Sequence, residues 1–182
     1  MGKISGAGSR ILSAALGAAL LGVNSRVLGD TALADGDTTE VTAFAAQPDV
    51  PRNLTVTGNG AAVAGDVVIV GTNAGGEVIT ETIVAAGAAT VVGNKAFKTV
   101  TSITLPAYVS AGTERIRVGT GAKLGLGVLL SRNSVLRAFL GGVLEGTAPT
   151  VAFSATALES NTVTLNSALN GTAVLVDFYE TL

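Results

Sequence analysis

The sequence predicts an all-β protein: an antiparallel β-sandwich, immunoglobulin-like or Greek-key, with an N-terminal arm that is helical or extended. From residue 50 onward, short segments alternate apolar and polar residues, as half-buried strands do. Glycine- and asparagine-containing turns separate these segments. The chain contains 24 glycines, and Val and Thr, which favour strands, are frequent. No alternation of strand and helix patterns suggests a parallel sheet.

The N-terminal part, residues 1–45, is predicted to be an arm and linker. Residues 1–29 have helical spacing, with Ile11, Ala15, Ala19 and Val23 in one i, i+4 row and Leu12, Leu16 and Leu20 in the next. The apolar run from residue 11 to residue 23 is shorter than the about 20 residues of a membrane span. A leader cleavage site at residues 32–34 lies too far beyond that run. We therefore expect a retained arm that docks on a partner, followed by an acidic linker at residues 29–40.

Residues 46–182 are predicted to form the β-sandwich domain. Segments 53–58, 66–72 and 77–84 are predicted strands, and a turn is predicted at residues 73–76. A strand region at 94–106 ends at Pro106, and segment 113–119 directs Ile116 and Val118 inward, away from Arg115 and Arg117. Two strand-like runs lie within 129–143, and further segments lie at 150–156 and 161–167. Asn170-Gly171 predicts a hairpin turn, followed by a strand with Val174, Val176 and Phe178 inward.

The composition argues against an enzyme. With no cysteine and no histidine, the chain lacks disulfides, thiolate metal sites, the usual general base and any Ser-His-Asp arrangement. We expect no catalytic residue, no cofactor and no metal site. Only 13% of the residues are charged, whereas free monomers usually expose roughly a quarter or more. A surface so poor in charge predicts that copies of the chain or other partners cover much of it.

Three motifs are compatible with chemistry but fit it poorly. Residues 119–127 (GTGAKLGLG) lack the spacing of a phosphate-binding loop and are better interpreted as a turn or bulge. Asp35-Gly36-Asp37 with Glu40 lacks the remaining ligands of a calcium loop and is interpreted as solvated linker. Glu77 and Glu81 would lie about 13 Å apart on one strand face, beyond the roughly 5–9.5 Å of glycosidase pairs. They are interpreted as exposed strand residues.

Basic residues concentrate in residues 91–137, whereas residues 30–90 are mainly acidic. Such blocks are able to steer one copy against another, and they also fit separate solvated faces. We predict a charged interface formed by Arg115, Arg117, Arg132 and Arg137. No aromatic residues interleave with these arginines to stack bases, so we expect no nucleic-acid partner, and no membrane partner is expected either.

Several stretches resemble structural proteins of tailed bacteriophages: VPRNLTVTGNG, DVVIVGTNAGGEVITETI, GNKAFKTVTSITLP, AGTERIRVGTGAKLGL and ALNGTAVLVDFY. Their order is similar to that in small virion proteins described as head decoration or tail proteins, and the resemblance covers residues 40–182. It implies assembly without chemistry, with a location on the capsid surface or in the tail.

The resemblance leads to a specific expectation: a capsid decoration (cement) protein that forms a homotrimer or another homo-oligomer and binds the major capsid protein. The alternative within the same class is a tail, neck or fibre component. A third hypothesis is a carbohydrate-binding adhesion module, which the low aromatic content disfavours. In the decoration hypothesis the arm residues at the interface are Ile11, Leu12, Leu16, Leu20 and Val23.

Overall fold

The computed structural model of the protein describes residues 10–110 and 112–179. This part of the chain contains a single short 3₁₀ turn, Leu158–Ser160, and is otherwise built from strands and loops. The strands are β1 (Ile11–Ala18), β2 (Leu28–Ala32), β3 (Thr39–Val41), β4 (Arg52–Gly58), β5 (Ala64–Thr72), β6 (Val78–Ala86), β7 (Thr90–Phe97), β8 (Thr99–Leu105), β9 (Arg115–Gly125), β10 (Val135–Leu140), β11 (Val143–Leu144), β12 (Thr150–Ala152), β13 (Thr162–Thr164) and β14 (Ala173–Tyr179).

The strands form three antiparallel sheets. Sheet I has the order β3-β8-β5-β6. Sheet II has the order β12-β13-β9-β4-β7, and β2 also pairs with β9. Sheet III has the order β1-β14-β10-β11. Because the sheets are antiparallel and pack on one another, the predicted all-β sandwich class is confirmed.

Sheets I and II enclose the first core. Strand β6 directs Ile79 and Ile83 inward, and β9 directs Ile116 and Val118 inward, as the sequence alternation predicted. A tight turn at Gly87 joins β6 of sheet I to β7 of sheet II. The short β2–β3 connection joins the two sheets again through β9 and β8. Chain connections therefore hold this sandwich together at both sides.

Sheet III and the far end of sheet II enclose a second core. Val174, Val176 and Phe178 of β14 point into it, which confirms their predicted common orientation. Leu124 of β9 and Val163 of β13 supply the facing side. Strand β9 thus contributes to both cores, and the two cores share one continuous strand.

The helical spacing at the N-terminus does not produce a helix in the described residues. Residues Ile11–Ala18 form β1, which pairs with β14 from Ile11↔Tyr179 to Ala18↔Ala173. Positions four apart also share one face of a strand, so the row Leu12, Leu16 fits both structures. Pairing with β14 and burial of Leu16 in the second core favour the strand. Of the two predicted forms of the arm, the described residues adopt the extended one.

The predicted linker also contains strands. Residue pairs Leu28↔Val118 and Ala32↔Arg115 join β2 to β9, and β3 pairs with β8. Val27, Leu28 and Leu33 lie in the first core. Residues 29–40, predicted to be an acidic linker, therefore include most of β2 and the start of β3, because pairing with distant strands imposes an order that local sequence does not show. The boundary near residue 45 stays a prediction, although residues 10–45 contribute strands to all three sheets.

Two local predictions have opposite outcomes. The turn at residues 73–76 is confirmed: the Asn73 side-chain oxygen accepts hydrogen bonds from the backbone N–H groups of Gly75 and Glu77. The hairpin at Asn170-Gly171 was wrong, because the strands on either side, β13 and β14, belong to different sheets. Gly171 does adopt a positive φ of 81°. The last strand pairs with β1 and β10 instead of with its predecessor.

Candidate functional site

Strand β1 leaves one edge of sheet III open. It is the terminal strand of that sheet, and none of the described strands pairs with its outer side. The segment ILSAALGA contains no charged residue and no proline. Proteins usually protect sheet edges with charges, prolines or very short strands. Here the only such feature is a bulge between Ala15 and Gly17, so most of the edge is available for pairing.

The outer face of sheet III combines apolar and paired polar side chains. A row across the sheet carries Ala15, Leu175, Phe139 and Leu144, which are register partners in successive strands. In the neighbouring row, Asp177 accepts hydrogen bonds from Ser13 Oγ at 2.5 Å and Arg137 Nε at 2.7 Å. These two donors lower the pKa of Asp177. The Arg137 guanidinium also lies over the Phe139 ring, 5.4 Å from its centroid.

The predicted arm residues have two different environments. Ile11 is 55% exposed, and Leu12, Leu20 and Val23 are also exposed on or just beyond β1. Leu16 is buried in the second core. Leu16 therefore holds β1 to the protein itself, whereas the other four expose apolar surface.

The four predicted interface arginines do not form one cluster of contacts. Arg115 and Arg117 lie on β9 in sheet II, whereas Arg132 precedes β10 and Arg137 lies on β10 in sheet III. Arg117 approaches Asp30 at 3.5 Å, and Arg137 pairs with Asp177. Arg115 and Arg132 are exposed.

A buried arginine, which the sequence analysis missed, fastens the end of β1 to sheet II. Arg52 is 0% exposed, and its guanidinium donates to Gly121 O, to Leu20 O at 2.8 Å and to Asp49 Oδ1 at 3.0 Å. Asp49 in turn accepts the Leu20 N–H at 2.7 Å. Burial opposes the charge on Asp49, but these hydrogen bonds outweigh it and lower the pKa of the carboxyl group. The spacing Asp49-x-x-Arg52 was the only sequence feature that pointed to this ion pair.

A polar cleft of about 260 Å³ lies on the outer face of sheet II. Thr150 and Thr164 are register partners across β12 and β13, and Thr162 pairs with Ala152 in the same ladder. Their neighbours Val151 and Val163 pack with the second core, so the threonines lie on the opposite, outer face. Four further residues complete the lining: Asn94, Lys123, Phe153 and Ser160.

Bulges in β7 and β9 lie beside this cleft. While β4 advances by two residues, β7 advances by four, from Val92 to Ala96, and β9 advances by four, from Thr120 to Leu124. The buried Asn53 side chain accepts the Lys123 N–H at 2.9 Å and donates to Gly93 O at 3.0 Å. Lys123 Nζ donates to Gly93 O at 3.0 Å and to Asn94 Oδ1 at 2.6 Å. Bulges often lie beside functional sites, where they redirect a side chain.

Glu81 supports the same region from inside the sandwich. Its carboxylate accepts the N–H groups of Asn94 at 2.6 Å and Lys95 at 3.2 Å. Burial raises the pKa of Glu81, although these two hydrogen bonds and the nearby Lys95 and Lys123 act in the opposite direction. The prediction that Glu81 is exposed was wrong: the alternation of β6 places it on the inward face together with Ile79 and Ile83. Glu77 precedes β6 and is exposed, as predicted.

The glycines of residues 119–125 lie in strand β9. The predicted bulge is confirmed, because β9 advances four residues from Thr120 to Leu124 while β4 advances two. Each of these glycines permits a close approach by another part of the chain. A Cβ on Gly119 would overlap the backbone of Val23 and Asn24, and one on Gly121 would overlap the Asn53 side chain. Glycine inside a strand often marks such an approach. These glycines therefore let the N-terminal segment and Asn53 pack against β9.

A second cleft, of about 460 Å³, is lined by Gly75, Glu77, Gly127, Val128, Leu129, Thr156 and Leu158. It is wider and carries one charged group, Glu77.

In the described ranges, no three metal-ligating side chains group closely enough to hold a metal ion, and the Asp35–Glu40 motif forms no such group. Nor does that part of the chain contain a helix long and apolar enough to cross a membrane.

The chain was compared with protein-family models, curated proteins and solved structures. No protein-family model, curated protein or solved structure matches the chain.

Proposed function

We propose that this chain is a non-enzymatic structural component of a tailed-phage virion, a capsid decoration protein that binds the major capsid protein and associates with its own copies. The resemblance of residues 40–182 to virion proteins supports the class. The open edge of β1 is the observation that carries the mechanism, because it offers backbone groups to a second chain.

In this mechanism a strand of a shell subunit pairs with β1 and extends sheet III. Main-chain hydrogen bonds supply affinity in such strand addition, and side chains on alternate positions supply specificity. The exposed side chain of Ile11 on β1 would be covered at the same time. Apolar burial contributes about 25 cal/mol per Å² in each copy, and the symmetry of a shell repeats that contact many times.

The low charge of the chain supports self-association as well. Val78 and Val84 are exposed on the outer face of β6 in sheet I, whereas β1 lies in sheet III. Contact between copies through this second apolar surface would leave the β1 edge free for the shell. In a homotrimer or another ring of copies, this surface would contact a different surface of the neighbouring subunit.

A charge on β1 tests the proposal. Ala15 is exposed on β1, so Ala15→Lys places a charge at the edge without entering either core. Ala88→Lys places the same charge in the exposed β6–β7 turn and is the matched control. In co-sedimentation with capsids that lack this protein, we expect Ala15→Lys to bind at least about tenfold more weakly than the wild type and Ala88→Lys.

Each alternative gives a different result in this assay. Equal binding by Ala15→Lys and wild type would refute the role of β1. Failure of the wild-type protein to bind capsids would refute decoration, and binding to isolated tails would support the tail alternative. Deletion of residues 1–29 is a poorer test, because it removes Leu16, Ala19, Val27 and Leu28 from the two cores.

A further inference from the structure

We propose that the polar cleft on sheet II binds a single pyranose sugar that carries a carboxylate, with Lys123 as the group that recognises the carboxylate. This binding activity is independent of the capsid contact, which we assign to β1 in sheet III. Its ligand is the acidic monosaccharide unit of a glycan.

The charge of the cleft favours an anion. Lys123 Nζ has three N–H donors, and the structure assigns two of them to Gly93 O and Asn94 Oδ1. No aspartate or glutamate lines the cleft. Within the described residues, no carboxylate lies within ion-pair distance of Lys123, whereas the neighbouring Lys95 is paired with Glu159 at 3.5 Å. One donor of a positioned ammonium group is therefore available to a ligand.

The other polar groups favour a polyol. Thr150, Thr162 and Thr164 line the cleft with Ser160. In the described part of the chain, none of these four hydroxyls makes a protein hydrogen bond. Each hydroxyl both donates and accepts. A set of unpaired hydroxyls matches the hydroxyl groups of a sugar better than it matches a bare inorganic anion, which can only accept.

Phe153 supplies an apolar surface at the same place. Its side chain is 49% exposed although it lines the cleft. The C–H face of a pyranose ring is apolar and packs on an aromatic ring, so the sugar would be held between Phe153 and the threonines. The volume of about 260 Å³ lies below the roughly 300–1,000 Å³ of sites for drug-sized ligands. One ring, not an oligosaccharide, is therefore the unit that fits.

The groups that face the ligand are held in position by buried side chains. Asn53 fixes the backbone of Lys123 and Gly93, and Glu81 fixes that of Asn94. Asn161 is 0% exposed and donates to Ser154 O at 2.9 Å and to Ala157 O at 2.8 Å, which holds the loop that follows Phe153. A site organised before binding loses less entropy when the ligand enters.

Titration of the full chain with monosaccharides, monitored by ¹H–¹⁵N NMR, tests this inference. The probes are D-glucuronate and D-galacturonate, with D-glucose and D-galactose as neutral controls and acetate as a carboxylate without a ring. We expect at least one uronate to shift the amide signals of Lys123 and Thr162 with millimolar affinity. Each neutral sugar and acetate should bind about tenfold more weakly or worse, since each lacks one part of the recognition.

Two variants locate the binding. Lys123→Met should weaken uronate binding about tenfold, whereas Lys98→Met, which removes an exposed lysine outside the cleft, should leave it unchanged. Phe153→Ala should also weaken it. The inference is overturned if neither uronate shifts these signals, if glucose or acetate binds as tightly, or if Lys123→Met binds like the wild type. None of these results bears on capsid binding through β1.

Discussion

At the scale of single residues, the buried side chains of Arg52 and Glu81 differ in how well their charges are compensated. Arg52 satisfies carbonyl groups of two distant segments, residues 20 and 121, and neutralises Asp49. Glu81 is buried against two N–H groups and retains a raised pKa. The Arg52 guanidinium has an ion-pair partner and carbonyl acceptors. The Glu81 carboxylate positions the backbone beside the cleft, but burying it costs free energy.

Replacement of Arg52 should be strongly destabilising. In Arg52→Met two carbonyl groups lose their donor and the Asp49 carboxylate loses its buried ion-pair partner, so we expect a loss of about 3–5 kcal/mol in the free energy of unfolding. Urea denaturation measures it. The matched control is Arg26→Met, because Arg26 only approaches the same Asp49 at 4.0 Å and is partly exposed. Its loss should be about 0–1 kcal/mol. Equal losses for the two variants would contradict the fastening role of Arg52.

Glu81 on the one hand, and Asp49 and Asp177 on the other, should change the free energy of unfolding in opposite directions as pH rises. The folded-state pKa of Glu81 is raised, so its contribution to stability is present below its unfolded pKa of about 4.3 and is lost as pH rises through the folded pKa. The lowered pKa values of Asp49 and Asp177 act in the opposite sense: their contribution is present above about pH 3.9 and is lost at lower pH.

The variant Glu81→Gln isolates the first of these effects. Denaturation at a series of pH values should show the wild type losing stability relative to Glu81→Gln as pH rises above about 4.3. The difference should become constant once Glu81 is ionised in the folded state. Parallel stability curves for the two proteins over this range would show that Glu81 does not titrate abnormally.

At the scale of elements, β9 is the strand that pairs with three others and contributes to both cores. It pairs with β4 along one side and with β2 and β13 along the other, and it contributes Ile116 and Leu124 to different cores. The segment after β1 also crosses it, where the Thr120 N–H donates to Val23 O at 3.0 Å. Glycine at position 119 makes this crossing possible.

Substitution of Gly119 tests the crossing. In Gly119→Ala the added methyl group would overlap Val23 O and the Asn24 backbone, so the N-terminal segment must shift. We expect a loss of about 1–3 kcal/mol, as for overpacked sites. Gly29→Ala is the control: Gly29 lies in β2, and an added Cβ meets nothing within 4 Å. Its effect should stay within about 0.5 kcal/mol. Thermal or urea unfolding that ranks the two variants equally would contradict the packing described for β9.

Also at the scale of elements, local patterns predicted the strands but not their partners. The alternation around Ile116 and Val118, and that of Val174, Val176 and Phe178, identified the inward faces correctly. Strands β2 and β3 have little pattern of their own, and β8 and β9 impose their conformation. The predicted hairpin at Asn170-Gly171 was wrong for the same reason: β14 pairs with β1 and β10, which are distant in sequence.

At the scale of the whole molecule, the candidate sites were the hardest features to predict. The cleft combines residues from β7, β9, β12 and β13, and their proximity depends on the register of sheet II. Segment 161–167 was a predicted strand, but nothing in the sequence placed Lys123 or Asn94 beside it. The predicted arm residues did identify the strand with the open edge, although Leu16 points into the protein's own core.

At the same scale, the described residues form three sheets around two cores, and the proposed assembly function depends on the open edge of β1 and on the exposed apolar faces. Electron cryomicroscopy of intact particles of the phage proposed to carry the chain tests this claim most directly. The account predicts density for the three-sheet protein on the outer surface of the head, with a strand of a shell subunit paired alongside β1. Particles that lack the protein altogether, or that carry it on the head with β1 facing solvent, would contradict it.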